Sequence, residues 1–170
     1  INEDDDRKPI NPYAETKLDG EVLAKKYSEM GMKVIGLRYF NVFGKRQSKE
    51  YAGAIKLFLH NIQQKKSPKI NGDGLQTRDF VHIDDVVRAN IFAMDSDINH
   101  KFFNVGSGSS ISILDLANLI IGASGLSLKP IHGPELSGDV RSTQADIKLI
   151  RKLLNWEPKM RLDDWLTKII

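Results

Sequence analysis

The 170-residue chain contains no cysteine. That excludes a disulfide framework, a thiol nucleophile and a zinc-thiolate centre, and it fits an intracellular, cytoplasmic setting. Long hydrophobic runs are missing too. The longest apolar-leaning stretch, Leu114 to Ala123, is interrupted by Asp115 and Asn118. It falls short of the ~20 residues a membrane helix needs. No basic-then-apolar leader opens the sequence, so neither membrane insertion nor secretion is expected. Neither charge sign dominates: 25 Lys and Arg against 22 Asp and Glu leave +3. Solvated lysines explain the isoelectric point near 9.0. Without a clustered basic face, no nucleic-acid partner is expected.

What is present is globular in character. Hydrophobic residues make up 41% and charged residues 28%, which supplies a core and argues against disorder. The opening stretch, Ile1 to Asn11, is acidic and then proline-bearing, which is loop chemistry. A domain rarely starts inside such a loop, so the expectation is a piece of a longer chain.

Asn11 and Pro12 predict a helix start. Leu18, Val22, Leu23 and Tyr27 continue it at helical spacing, and Gly31 caps it. Lys33 to Phe40 has the length and apolarity of a strand in a parallel sheet, and a loop runs from Gly44 through Glu50. A helix is predicted over Ala52 to Gln64, then a short strand at Lys69-Ile70 and a turn at Asn71 to Gly74. A strand over Asp79 to Ile83 leads into a helix opened by Asp84-Asp85 and ending at Met94. A strand is expected over Lys101 to Val105 and a loop over Gly106 to Ser110. A helix capped by Ser112 follows to about Ala123, and Gly125 ends it. A strand is predicted at Leu128 to Ile131, and helices over Asp146 to Leu154 and Leu162 to Ile170. The alternation defines an α/β class.

Few constellations carry chemistry. Tyr13 and Lys17 stand four apart, on one helix face. A lysine ammonium there stabilises a phenolate, which suits the tyrosine to acid/base work. On spacing alone, an exposed aromatic beside a solvated lysine is the commoner explanation. His82, between Val81 and Ile83, reads as a packed sheet histidine. His60, His100 and His132 form no metal spacing with it. Ser124 has no partners that would make a hydrolase.

Four segments in order change the weighting. Asn11-Pro12-Tyr13-Ala14-Glu15-Thr16-Lys17-Leu18-Asp19-Gly20-Glu21 resembles the P-Y-x-x-[ST]-K-x-x-x-E segment of the extended short-chain dehydrogenase/reductase family. Leu37 to Gln47 resembles its L-R-x-x-N-V-[YF]-G-P-R-Q element. Gly72 to Asp85 resembles its G-D-G-x-Q-x-R-D-[FY]-V-x-V-x-D element. Phe103 to Gly108, then Gly138 to Arg141 with Ala145-Asp146, resemble its later landmarks. The nearest subgroup is the nucleotide-sugar epimerases and dehydratases, of UDP-glucose 4-epimerase-like type.

The resemblance implies a fold: the C-terminal part of a Rossmann-like parallel sheet plus a small α/β substrate-binding domain, interleaved along the chain. Residues 1–51 would close the Rossmann-like domain. Residues 52–83 would be mainly substrate domain, 84–125 mainly Rossmann-like and 126–170 mainly substrate domain again. The family's Gly-rich NAD cradle has no match here. Gly106 to Ile111 lacks the third glycine and comes late, so it reads as a strand-to-helix loop. The isolated chain is therefore expected to be inactive. It is also expected to self-associate through an apolar flank of its sheet.

The resemblance also implies roles. Tyr13 takes a proton from a sugar hydroxyl while hydride passes to NAD, and Lys17 bonds the nicotinamide ribose. Both therefore count as catalytic and cofactor-binding residues. The Phe40 backbone lies by the nicotinamide, or Phe40 is simply a buried aromatic. Asn41 contacts substrate, or forms a turn. Arg78 pairs with the nucleotide diphosphate, or with Asp79 or another carboxylate. Asp139 accepts from a ribose hydroxyl and Arg141 helps hold phosphate, or the two form a loop ion pair. Arg46 is a weaker phosphate candidate. Asp84 and Asp85 are helix-start residues, and no metal is expected. The partner implied is a nucleotide sugar, with UDP favoured, although Asn71 stands where many members carry an aromatic near the base. A homodimer is implied, with the Tyr13 helix in its interface. A dehydratase, a decarboxylase or a fragment that only binds nucleotide sugar is the alternative.

Overall fold

A computed structural model describes residues 1–47 and 53–170. The expected loop through Glu50 and the expected helix start at Ala52 lie partly outside them. The elements run α1 (Pro12–Glu29), β1 (Ile35–Tyr39), β2 (Asn41–Phe43), α2 (Ala54–Gln63), β3 (Lys69–Asn71), β4 (Thr77–Arg78) and β5 (Phe80–His82). They continue with α3 (Ile83–Met94), β6 (Lys101–Val105), β7 (Ile111–Ser112), α4 (Ile113–Ser124), β8 (Ile131–Gly133), α5 (Lys148–Leu154) and α6 (Leu162–Ile169). The chain is an α/β fold with parallel strands.

Capping chemistry sets several boundaries. The Ala14 N–H donates to Asn11 Oδ1 at 2.9 Å, and Pro12 is the first helical residue. The helix ends at Glu29 with Met30 as its cap, one residue earlier than the expected cap Gly31, which follows at φ 96°. Ser112 Oγ accepts from the Asp115 N–H at 2.9 Å and donates to the Asp115 carboxylate at 2.6 Å, a reciprocal cap. His82 Nδ1 accepts from the Asp84 N–H at 3.2 Å, so this buried histidine caps α3 while its ring packs edge-on against Phe43.

Three expected elements shift. The strand placed at Leu128 to Ile131 is Ile131–Gly133, because its register is set by β3: Lys69 faces Ile131 and Asn71 faces Gly133. The helix placed from Asp146 begins at Lys148, because the Asp146 carboxylate accepts the Lys148 N–H at 2.9 Å and turns the chain first. The strand placed over Asp79 to Ile83 is shortened to Phe80–His82, and a separate strand precedes it. Thr77–Arg78 pairs antiparallel with β7, and Phe80–His82 pairs parallel with β2.

The sheet contains a change of partner that places the site. β1 pairs in parallel with β6, Ile35 opposite Lys101 and Tyr39 opposite Val105. At its end the Phe40 N–H still donates to the Val105 carbonyl at 3.0 Å. One residue on, the Asn41 N–H donates to the Asp79 carbonyl at 3.0 Å, and β2 continues beside β5. The strand thus leaves β6 for β5 at Phe40-Asn41. A parting of strands at their carboxyl ends opens a crevice, the usual ligand position in such sheets.

Two cores flank this parting. One joins α2, α4 and α6 through Phe58, Leu116, Ile120 and Leu166. The other packs α3 and α5 on β1 and β6 through Ala89, Ile150, Phe103 and Trp156. The packing therefore groups α4 with α2, and α5 with β6, whereas the boundaries 84–125 and 126–170 divide them the other way. Gly36 of β1 lies under the Phe102 ring. A Cβ built there would stand 2.1 Å from Phe102 Cδ1, so the close approach requires glycine.

Helix α1 buries little beyond Ser28. Val22 and Leu23 are exposed. It is tied to β1 by Glu21, which accepts from Arg38 Nε at 2.7 Å and Nη2 at 2.9 Å and also pairs with Arg7 at 2.6 Å. Both guanidiniums approach the Phe102 ring face, a geometry of cation–π attraction.

Candidate functional site

Tyr13 lies in the first turn of α1 and is 70% exposed. Lys17 sits one turn on, its Nζ 5.1 Å from the Tyr13 ring centroid. The helix therefore places ammonium and phenol side by side, as the four-residue spacing predicts. Among the described residues, Lys17 makes no ion pair. Phe40 and Asn41 occupy the change of partner: the Phe40 ring packs against the core of β1 and β6, and the Asn41 side chain is exposed.

Arg78 ends β4. Its side chain is 12% exposed, and its Nη2 is ion-paired with the Asp139 carboxylate. Its Nη1 donates to the Thr77 carbonyl at 2.7 Å. Arg78 does not pair with its neighbour Asp79. Arg141 is well exposed and forms two parallel 3.0 Å bonds with Asp73. This fork, followed by the Leu75 N–H, holds the Asp73 carboxyl below its usual range. The structure thus brings Arg78 to Asp139, and Arg141 to Asp73. It does not join Asp139 to Arg141. Arg78 lines a cleft of about 590 Å³ with Phe80, Ser107 and Ser109, and a smaller cleft of about 130 Å³ is lined by Asn71, Gln76, Glu135 and Asp139 among others. Asn71 brings an amide to its wall. The weaker candidate Arg46 has φ 65° in the turn after Gly44. No group of three His, Asp or Glu residues that could hold a metal occurs among the described residues. None of the described helices is long and apolar enough to cross a membrane.

Two aspartates matter more than the sequence reading allowed. Asp85 is not merely a helix-start residue. It is 2% exposed and pairs with Arg88, and it accepts the Lys159 and Met160 N–H groups at 3.0 Å each. Asp79 is fully buried and accepts bonds from two distant loops. For Asp79 the available signal was a carboxylate directly before the apolar pair Phe80-Val81, since a buried charge must be met by donors.

A parallel-stranded α/β chain whose first helix carries Tyr-x-x-x-Lys has the make-up of an extended short-chain dehydrogenase/reductase. More narrowly, the chain belongs to the NAD dependent epimerase/dehydratase family, whose model matches residues 1–106. It is 33% identical to a putative UDP-glucose 4-epimerase of Methanocaldococcus jannaschii, over 100% of this chain and 55% of that protein. The UDP-glucose 4-epimerase of Thermotoga maritima, solved with UDP-glucose, superposes with TM-score 0.94 at 34% identity, over 98% of this chain and 54% of that one. The UDP-glucuronic acid 4-epimerase of Bacillus cereus, solved with UDP-glucuronic acid and NAD, superposes with TM-score 0.90 at 34% identity, over 98% and 53%. The chain spans about half the length of the relatives it matches.

Proposed function

We propose that this chain is the substrate-side portion of an NAD-dependent nucleotide-sugar epimerase of the UDP-glucose 4-epimerase type, cytoplasmic and dimeric. The observation that carries the reading is the placement of Arg78. A largely sheltered guanidinium at the wall of a cleft is the donor fork that a diphosphate needs, and Asp139 next to it offers acceptors for ribose hydroxyls. Asn41, exposed at the strand parting, adds an amide for a sugar or phosphate oxygen. Arg141 reaches phosphate only by releasing Asp73. The exposed apolar residues of α1 support the dimer.

The residues present fit the nicotinamide end of NAD, since Lys17 keeps its ammonium on the Tyr13 face of an exposed helix turn. Tyr13, Lys17 and the backbone at Phe40 would hold that end. NAD, when bound, supplies reversible hydride acceptance. Tyr13 removes the proton from the sugar C4 hydroxyl, with the Lys17 charge stabilising its phenolate, and returns it after the sugar presents its other face. The test is proton NMR of a UDP-hexose incubated with NAD and the protein that carries this chain. The C4 epimer accumulates to equilibrium, and Tyr13→Phe abolishes it. Accumulation of a 4,6-dehydrated product instead, or of a decarboxylated one when a UDP-hexuronic acid is supplied, would overturn the epimerase reading.

A further inference from the structure

One buried side chain links the strand beside the parting to two loops. Asp79 stands between Arg78 and Phe80, and its carboxylate is fully buried. Its Oδ1 accepts the Ser107 N–H at 2.6 Å and the Ser107 hydroxyl at 2.7 Å. Its Oδ2 accepts the Gly108 and Ala145 N–H groups at 3.0 Å each. All four partners are donors, and none is a cation. Its carbonyl accepts the Asn41 N–H at 3.0 Å. The Thr77 N–H donates to the Arg141 carbonyl at 2.9 Å, and the Thr143 N–H donates to the Thr77 carbonyl at 3.1 Å. The segment from Arg141 to Ala145 is thereby laid along residues 77–79. Gly106 makes room: a Cβ there would stand 2.5 Å from Ala145 Cβ and 2.8 Å from Asp79 Oδ2.

We infer that Asp79 is the positioning residue of the nucleotide site. It joins the loop after β6 to the strand bearing Arg78 and to the segment bearing Asp139 and Arg141, while its backbone holds Asn41. One buried residue therefore sets the mutual placement of four candidate substrate-site residues: Arg78, Asp139 and Arg141 through its carboxylate, and Asn41 through its backbone carbonyl. It touches no substrate itself. Of the segments it ties, the one ending in Arg78 and the one running on from Asp139 and Arg141 carry candidate site residues, and the Ser107-Gly108 loop supplies the donors that anchor them. The inference rests on the nucleotide-sugar reading, which supplies the role of Arg78 and Asp139.

Asp79→Asn is nearly isosteric, but its amide turns an N–H₂ toward two N–H donors, so one side of the clamp must open. The experiment measures UDP affinity by calorimetry and amide exchange by NMR on the full chain. Ile120→Ala, a cavity in the other core, serves as the reference for general destabilisation. Asp79→Asn is expected to weaken UDP at least tenfold and to speed exchange at Ser107, Gly108, Thr143 and Ala145. Gly106→Ala should do the same in smaller measure. Ile120→Ala should change UDP affinity less than twofold at an equal loss of melting temperature. An Asp79→Asn affinity within twofold of wild type, or an equal weakening by Ile120→Ala, overturns the assignment. If Asp79→Asn does not fold, Ser107→Ala removes a single donor and is expected to weaken UDP about threefold, no change again overturning it. If wild type itself does not bind UDP, the nucleotide reading fails. The exchange data then decide the clamp alone: faster exchange confined to those four amides supports it, and unchanged exchange refutes it.

Discussion

Arg78 and Asp139, sixty-one positions apart in sequence, are ion-paired. The arginine is the more sheltered partner, so its orientation is set before any ligand arrives. Its planar fork matches two phosphate oxygens, which a lysine ammonium does not. Arg78→Lys is therefore expected to weaken a nucleoside diphosphate about tenfold, or ~1.4 kcal/mol, at nearly unchanged stability. Competition against a fluorescent nucleotide measures this, and equal affinity would remove the fork from the account.

Tyr13 separates chemistry from folding. Its side chain is exposed, so Tyr13→Phe should change stability by less than ~0.5 kcal/mol. Turnover of the active protein should fall by roughly 10²–10⁴, as expected for loss of a general acid/base group. A proportionate loss of both would place Tyr13 in the scaffold instead.

Asp85 is a structural prediction. Its carboxylate meets Arg88 and two backbone N–H groups, and its carbonyl accepts from the Trp156 indole at 3.0 Å. Asp85→Ala leaves the Lys159-Met160 turn without its acceptor and leaves Arg88 only the Glu157 carbonyl at 2.8 Å. A loss of about 3 kcal/mol is expected in urea unfolding. A loss below ~1 kcal/mol would mean that water replaces the carboxylate.

Asp73 supplies a pH dependence. Its folded carboxyl lies below the unfolded value, first because of Arg141 and then because of the Leu75 N–H. The stabilising contribution is therefore complete above the unfolded value and is lost as pH falls through the folded one. Carboxyl carbon NMR should give Asp73 a depressed midpoint that Arg141→Ala raises. An unchanged midpoint in the variant would show that the fork does not persist in solution.

Much of this was legible in sequence because it depends on local chemistry. The Asn11-Pro12 helix start, the Ser112 cap and the strand at Lys101 to Val105 follow from capping and apolar patterning. So does the shared face of Tyr13 and Lys17. What was not legible depends on contacts distant in the chain. The strand at Ile131 takes its register from Lys69, which no local pattern records. The division of Thr77–Arg78 from Phe80–His82 arises because β4 and β5 find different partners. Asp79 and Asp85 read as ordinary motif and helix-start acids. Their weight comes from donors supplied by residues 107, 108 and 145 in one case, and 159 and 160 in the other. Likewise, the partners of Arg78 and Arg141 are chosen by the meeting of two loops, not by adjacency.

Calorimetric titration of the purified chain with UDP, alongside GDP, dTDP and NAD, tests the central claim most directly. The account predicts saturable 1:1 binding of UDP that Arg78→Ala reduces by at least tenfold. No binding of any nucleoside diphosphate, or UDP binding indifferent to Arg78→Ala, would contradict it.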